Sequence, residues 1–149
     1  MYKQILVAID DSQTSRSALN EAAGIAGAHK AKLRIVHVAD EALLSIHKSV
    51  LSNNADLEKA RRMLLEGGAK LLADAKQTVS NQVDPEVSLL ESGSQRVSEV
   101  IVKAASSDKA DLIVIGTHGH RGLSQLIVGS VAEQVFRAAQ CSVLLVRKH

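Results

Sequence analysis

The chain has 149 residues, of which 46% are hydrophobic and only 1% aromatic, and its formal net charge is +2. A chain of this length suits one domain, predicted here over residues 1–149, and buries enough surface to be stable without disulfides or metal ions. Charges of both signs are interspersed, and Tyr2 and Phe136 are the only aromatic side chains, so base stacking has little support and we expect no nucleic-acid partner.

The single cysteine and the apolar pattern indicate where the protein works. Cys141 cannot form an internal disulfide, and an isolated thiol without a nearby histidine in sequence is typical of a small buried hydrophobic residue. The sequence lacks a basic and apolar leader, and no apolar run is long enough to cross a bilayer. We therefore expect a cytoplasmic protein that does not insert into membranes.

Strand-like and helix-like segments alternate along the chain, which is typical of a parallel sheet covered by helices. The predicted strands are 4–9, 33–38, 87–90, 111–115 and 142–146. The predicted helices are 12–28, 56–79, 95–105 and 130–139, with one short helix near 43–50 in an otherwise irregular connection. The pattern predicts a single α/β domain of the doubly wound type.

The longest predicted helix contains two adjacent glycines, Gly67 and Gly68. Each glycine inside a helix costs about 1 kcal/mol relative to alanine. The pair therefore predicts either a neighbouring element packed closely against the helix or a local irregularity.

A loop bracketed by glycines connects the predicted strand 111–115 to the following helix. The loop begins with Gly116 and Gly119, continues for nine residues, and ends with Gly129 and Ser130. Glycines let a ligand approach the backbone closely, and the free N–H groups at a helix N-terminus favour an anion. Ser130 is predicted to be the N-cap residue, where its hydroxyl either caps the helix or binds a phosphate oxygen. The alternative is an ordinary long connection.

The spacing excludes two better-known phosphate sites. A P-loop requires a lysine beside its final Ser or Thr, and Gly129-Ser130 has none. A dinucleotide fingerprint requires glycines just after the first strand, where this chain has Ile9-Asp10-Asp11-Ser12.

Ligands of doubly wound sheets bind outside the carboxyl ends of the strands. Besides the glycine loop, two segments there carry usable groups: Asp10 with its neighbours Asp11 and Ser12, and Val38 with Ala39. A carboxylate at the first could bind ribose hydroxyls, and backbone groups at Val38 could contact an adenine edge. The alternative role of Asp10, Asp11 or Ser12 is to cap the first helix, although one cap does not require all three.

The glycine loop also contains His118, His120 and Arg121. Two histidines without a third ligand are more typical of solvent-exposed loop residues than of a metal site, so no metal ligands are assigned. Arg121 is equally compatible with a phosphate contact and with a solvated loop charge.

Together these segments resemble the universal stress protein family. The similarity includes the opening segment 3–12 (KQILVAIDDS), the pair His37-Val38, the Gly-x-x-Gly-x9-Gly-Ser loop and the final segment 141–146 (CSVLLV). It extends over the whole chain. The complete glycine loop is the feature that distinguishes the ATP-binding branch of that family.

The resemblance implies a five-stranded parallel sheet in the order 3-2-1-4-5, with helices on both faces. It implies ATP or a close adenine nucleotide as ligand, with Mg²⁺ as a candidate companion of the nucleotide. Asp10 would contact the ribose and Val38 the adenine. The phosphates would bind Gly116, Gly119, Gly129 and Ser130, and the further candidate contacts are Ala8, Ile9, His118, Arg121 and Val131. Family members commonly form homodimers by pairing their last strand, here Ser142 to Val146.

Three functions remain open from the sequence. The first is an ATP-binding regulatory module whose nucleotide state alters its contacts in the stress response. The second is a slow Mg²⁺-dependent ATPase or phosphoryl or nucleotidyl transferase using the same site, disfavoured because the loop has no carboxylate to position a metal ion or water. The third is a structural interaction protein with an empty pocket. It is disfavoured because the complete glycine loop would then have no function.

Overall fold

The computed structural model describes residues 1–47, 53–118 and 128–148. In chain order the elements are β1 (Gln4–Ala8), α1 (Gln13–His29), β2 (Lys32–Ala39), α2 (Ala42–His47), α3 (Asn54–Val79), β3 (Glu86–Glu91), α4 (Val97–Ser107), β4 (Leu112–Gly116), α5 (Ser130–Ala138) and β5 (Ser142–Val146). Each predicted element is present with ends shifted by at most two residues, except the short helix. That helix begins at Ala42 and is described as far as His47, and the rest of the predicted span lies outside the described residues.

The five strands form one parallel sheet in the order β3-β2-β1-β4-β5, which confirms the predicted fold class. The central strands are buried on both faces because helices cover both sides. In β1, Ile5, Leu6 and Val7 are fully buried. Parallel strands of this kind are continuous apolar runs without polar alternation, as the sequence of β1 and β4 shows.

Successive side chains of the sheet enter two separate apolar cores. Ile5 and Val7 pack in the core that contains residues of α1 and α3. Leu6 and Ala8 pack in the opposite core, with residues of α4 and α5. Because aromatic side chains are nearly absent, both cores are aliphatic. Among the helices of the described ranges, none is both long enough and apolar enough to span a bilayer.

The two glycines of α3 differ in their surroundings. A Cβ atom added to Gly67 would meet nothing within 4 Å. A Cβ atom added to Gly68 would lie 2.7 Å from Leu89 Cδ1 and 2.9 Å from His37 Cδ2, so α3 packs closely on β2 and β3 at this point. The helix is continuous through both residues, and the predicted close packing of a neighbour accounts for Gly68.

We expect opposite effects from alanine at these two positions. Gly67→Ala should raise the free energy of unfolding by up to about 1 kcal/mol, since it gains helix propensity at an exposed site. Gly68→Ala should lower the free energy of unfolding, because an overpacking cost of about 1–3 kcal/mol outweighs that gain. Urea denaturation of both variants measures the difference, and equal stabilisation by both would contradict the close packing.

Candidate functional site

The candidate site lies at the carboxyl ends of β1 and β4. β1 is hydrogen-bonded to β2 on one side and to β4 on the other, so the strand order reverses between β1 and β4. The helices that follow β1 and β4, α1 and α5, pack on opposite faces of the sheet. Doubly wound proteins bind their ligands at such a position.

Asp10 follows β1 and is half-buried. Its backbone N–H donates to Ser15 Oγ at 2.8 Å, and its Oδ1 accepts from the Ser12 N–H at 2.9 Å. The N-cap of α1 is Ser12, whose Oγ accepts from the Ser15 N–H at 3.2 Å. Ser12 therefore fulfils the capping role left open by the sequence, and Asp10 keeps a carboxylate oxygen that receives no hydrogen bond from the described residues.

Gly116 ends β4 where the N-terminus of α1 crosses the strand. A Cβ atom here would lie 2.7 Å from Thr14 Oγ1 and 2.8 Å from the Thr14 carbonyl carbon. Backbone cannot move away as a flexible side chain can, so the packing of α1 on β4 requires glycine at this position. The described contacts thus give Gly116 a packing role, and its contact with a phosphate stays a prediction.

The two ends of the glycine loop are hydrogen-bonded to each other. The Gly129 N–H donates to the Thr117 carbonyl oxygen at 2.6 Å, and the Thr117 N–H donates to the Val146 carbonyl oxygen at 2.8 Å. The start of the loop also contacts the turn after β1, because the His118 carbonyl oxygen accepts from the hydroxyls of Ser12 and Thr14. The structure thus joins the segments around Asp10, Gly116 and Gly129. Gly119, His120 and Arg121 lie outside the described residues.

Within the described residues, helix α5 begins without a side-chain cap. Its N-cap is Gly129, which has extended φ and ψ of −60° and 152° and whose carbonyl accepts from the Glu133 N–H at 2.9 Å. The sequence prediction of Ser130 as N-cap is therefore wrong by one residue: Ser130 is the first helical residue and is exposed. No side chain of the described residues accepts from the first N–H groups of α5, including that of Val131. The first N–H groups of a helix and its dipole favour an anion.

Val38 lies in β2 beside the end of β1, and its side chain packs in the same core as Ala8. Ile9 extends the ladder by donating its N–H to the Val36 carbonyl oxygen at 2.9 Å. These residues form an aliphatic floor next to Asp10. In the polar segment after β2, Asp40 Oδ1 accepts from the Ala42 N–H at 3.1 Å at the start of α2.

His118 carries an unsatisfied polar atom. Its Nδ1 lies 2.9 Å from Thr117 Oγ1, whereas its buried Nε2 has no hydrogen-bond partner among the described residues. A buried donor or acceptor left unpaired costs about 1–3 kcal/mol. The described residues contain no group of three His, Cys, Asp or Glu side chains that could hold a metal ion.

Some residues at this site were not singled out from the sequence. The Thr14 hydroxyl donates to the His118 carbonyl oxygen, and Ser15 Oγ accepts from the Asp10 N–H. His37 contacts the backbone of Ile9. The three hydroxyl residues within positions 12–15 could have indicated a role for Thr14 and Ser15. Cys141 is half-buried, and burial together with the charge of Asp111 raises the pKa of its thiol, which agrees with an unreactive residue.

Comparison with known proteins is consistent with the resemblance noted above. The family model described as the universal stress protein family matches residues 1–147. This chain belongs to that family. A putative universal stress protein of Staphylococcus aureus (strain USA300) is 37% identical over 147 residues, which cover 98% of this chain and 84% of the relative.

Two solved universal stress proteins illustrate the structural similarity. UspA from Lactobacillus plantarum has a TM-score of 0.76 and 27% identity, with 98% of each chain covered. A second universal stress protein, solved in complex with cAMP, has a TM-score of 0.70 and 27% identity, with 97% of each chain covered.

Proposed function

We propose that this universal stress protein binds ATP or a close adenine nucleotide, and that the bound nucleotide regulates its contacts in the stress response. The observation that carries the proposal is the N-terminus of α5, which no side chain of the described residues caps and which the Thr117–Gly129 hydrogen bond holds at the end of β4, beside the strand that precedes Asp10. A similar universal stress protein solved with cAMP supports an adenine nucleotide as the ligand class.

Each segment of the candidate site suits one part of the nucleotide. The Asp10 carboxylate would accept hydrogen bonds from ribose hydroxyls, and backbone groups at Val38 would contact adenine above the aliphatic floor that includes Ala8 and Ile9. The phosphates would contact the N–H groups at Gly129, Ser130 and Val131, and His118 Nε2. We assign Gly116, Gly119 and Arg121 to the phosphates from the family resemblance. Gly116 also shapes the start of the loop through its packing on α1. Mg²⁺ would enter with the nucleotide through phosphate oxygens and water.

Binding is proposed in preference to efficient turnover. Residues 116–130 include neither a lysine nor a carboxylate, so the loop offers no P-loop cation and no group to position a nucleophilic water. His118 is the described group that would serve the alternative, a slow Mg²⁺-dependent ATPase or phosphoryl or nucleotidyl transferase.

We further propose that residues 1–149 act as one cytoplasmic nucleotide-binding domain that forms a homodimer through β5. β5 is an edge strand of the sheet, so half of its backbone N–H and C=O groups have no neighbouring strand within the described chain. Antiparallel pairing with a second copy about a two-fold axis would satisfy these groups in a closed, isologous interface.

The test is native mass spectrometry of gently purified protein, followed by calorimetry with ATP, ADP and AMP. We expect the purified protein to retain an adenine nucleotide. The dissociation constant for ATP should be micromolar or lower, which corresponds to a binding free energy on the order of 8 kcal/mol. Hydrolysis should not be appreciable. Turnover near about 1 per second, the low end of ordinary enzyme rates, that disappears in His118→Ala would favour the transferase alternative. Protein that neither retains nor binds any adenine nucleotide would refute the proposal.

A further inference from the structure

The peptide group between Ile9 and Asp10 is held at both of its polar ends. His37 Nδ1 lies 2.8 Å from the Ile9 carbonyl oxygen, and the Asp10 N–H donates to Ser15 Oγ at 2.8 Å. A carbonyl oxygen only accepts hydrogen bonds, so Nδ1 of His37 carries the proton and donates it. The two side chains come from different elements, His37 from β2 and Ser15 from α1.

These two hydrogen bonds restrict the orientation of Asp10. The peptide group is planar, with its C=O and N–H directed oppositely, so partners at both ends fix the rotation of the whole plane. The Asp10 side chain leaves the Cα atom that follows this plane. Its Oδ1 is in turn held by the Ser12 N–H. Together the three contacts leave the carboxylate few orientations before any ligand arrives.

The imidazole of His37 is itself confined by α3. A Cβ atom on Gly68 would lie 2.9 Å from His37 Cδ2, so the absence of a side chain at Gly68 provides the space in which the ring lies. His37 is half-buried, and Ser15 is only 4% exposed, so neither hydrogen bond is open to strong competition from water.

We propose that His37 is a positioning residue for the nucleotide site, which acts by holding the Ile9 carbonyl and thereby orienting the Asp10 carboxylate toward the ribose. The inference depends on the proposed nucleotide site. Ser15 holds the other end of the same peptide. A preoriented carboxylate binds more tightly because less ordering remains to be done when the ligand arrives.

A matched pair of substitutions tests the role of the Nδ1 donor. His37→Leu fills similar space without a donor, whereas His37→Asn keeps an N–H donor at the position of Nδ1. We expect His37→Leu to weaken ATP binding about tenfold. Binding by His37→Asn should stay within about twofold of the wild type. Calorimetry measures both, and equal affinities of the Leu and Asn variants would overturn the inference.

The same substitution in an Asp10→Ala background separates positioning from general destabilisation. If His37 acts through Asp10, His37→Leu should cost no further affinity once the carboxylate is absent. If it merely supports the core, it should weaken binding by the same factor in both backgrounds, and the inference is then wrong. Ser15→Ala should show the same dependence on Asp10, because it releases the other end of the same peptide. Should His37→Leu fail to fold, His37→Met, which also lacks a donor, takes its place in both backgrounds.

The outcomes distinguish this inference from the proposed function. A wild-type protein that binds no adenine nucleotide refutes the function, and the positioning role with it. A wild-type protein that binds ATP, together with a folded His37→Leu variant of unchanged affinity, refutes only the role of His37.

Discussion

Replacing Asp10 by alanine is expected to weaken ATP binding at least tenfold. Hydrogen bonds that involve a charged group contribute about 1.5–3 kcal/mol each, and about 1.4 kcal/mol corresponds to a factor of ten in affinity. Asp10 does not cap α1, because Ser12 is its N-cap, so the carboxylate is not committed to holding the helix. Calorimetric titration with ATP at constant ionic strength measures the change.

Two further variants show which property of Asp10 matters. Asp10→Asn keeps an oxygen that can accept from the Ser12 N–H but removes the charge, so we expect a loss of affinity smaller than that of Asp10→Ala. Asp11→Ala removes the adjacent, exposed carboxylate and should change affinity by less than about twofold. A lower melting temperature of Asp10→Ala with unchanged ATP affinity would assign Asp10 a purely structural role.

Proline at Leu145 is expected to convert a homodimer into a folded monomer. The Val146 carbonyl oxygen accepts from the Thr117 N–H, so the polar backbone groups of Val146 face β4. Successive residues of a strand direct their backbone N–H and C=O groups to opposite edges. The backbone groups of Leu144 therefore also face β4, whereas those of Val143 and Leu145 face the open edge. A proline at Leu145 removes a donor that only a second copy would use.

Leu144→Pro is the matched control, because it removes a donor of the β4–β5 ladder itself. We expect it to lower the free energy of unfolding more than Leu145→Pro, by at least about 1 kcal/mol. Light scattering and urea denaturation of both variants test the pair. A wild-type protein that is monomeric at high micromolar concentration would refute the dimer, and a dimeric Leu145→Pro variant would exclude β5 pairing as its basis.

The sequence by itself determined the local features of this protein. Apolar runs such as that of β1 predicted buried parallel strands, and periodic apolar positions predicted the four longer helices, because both patterns depend on neighbours within a few residues. The glycine loop and Asp10 were recognisable in the same way. The order of the strands came from the family resemblance, since no spacing along the chain dictates which strands pair.

Only the tertiary structure decided what several of these residues do. Gly116 is required by the backbone of α1, and Gly68 by the ring of His37, although both are simple glycines in the sequence. The hydrogen bonds from Thr14 to His118 and from His37 to Ile9 join residues 104 and 28 positions apart. Such contacts depend on how the strands are ordered and how closely the helices pack on them. The contacts of His37 and Ser15 bear on the orientation of Asp10, and the pairing of β4 with β5 decides which edge Leu145 faces. Periodicity along the chain contains no information about either.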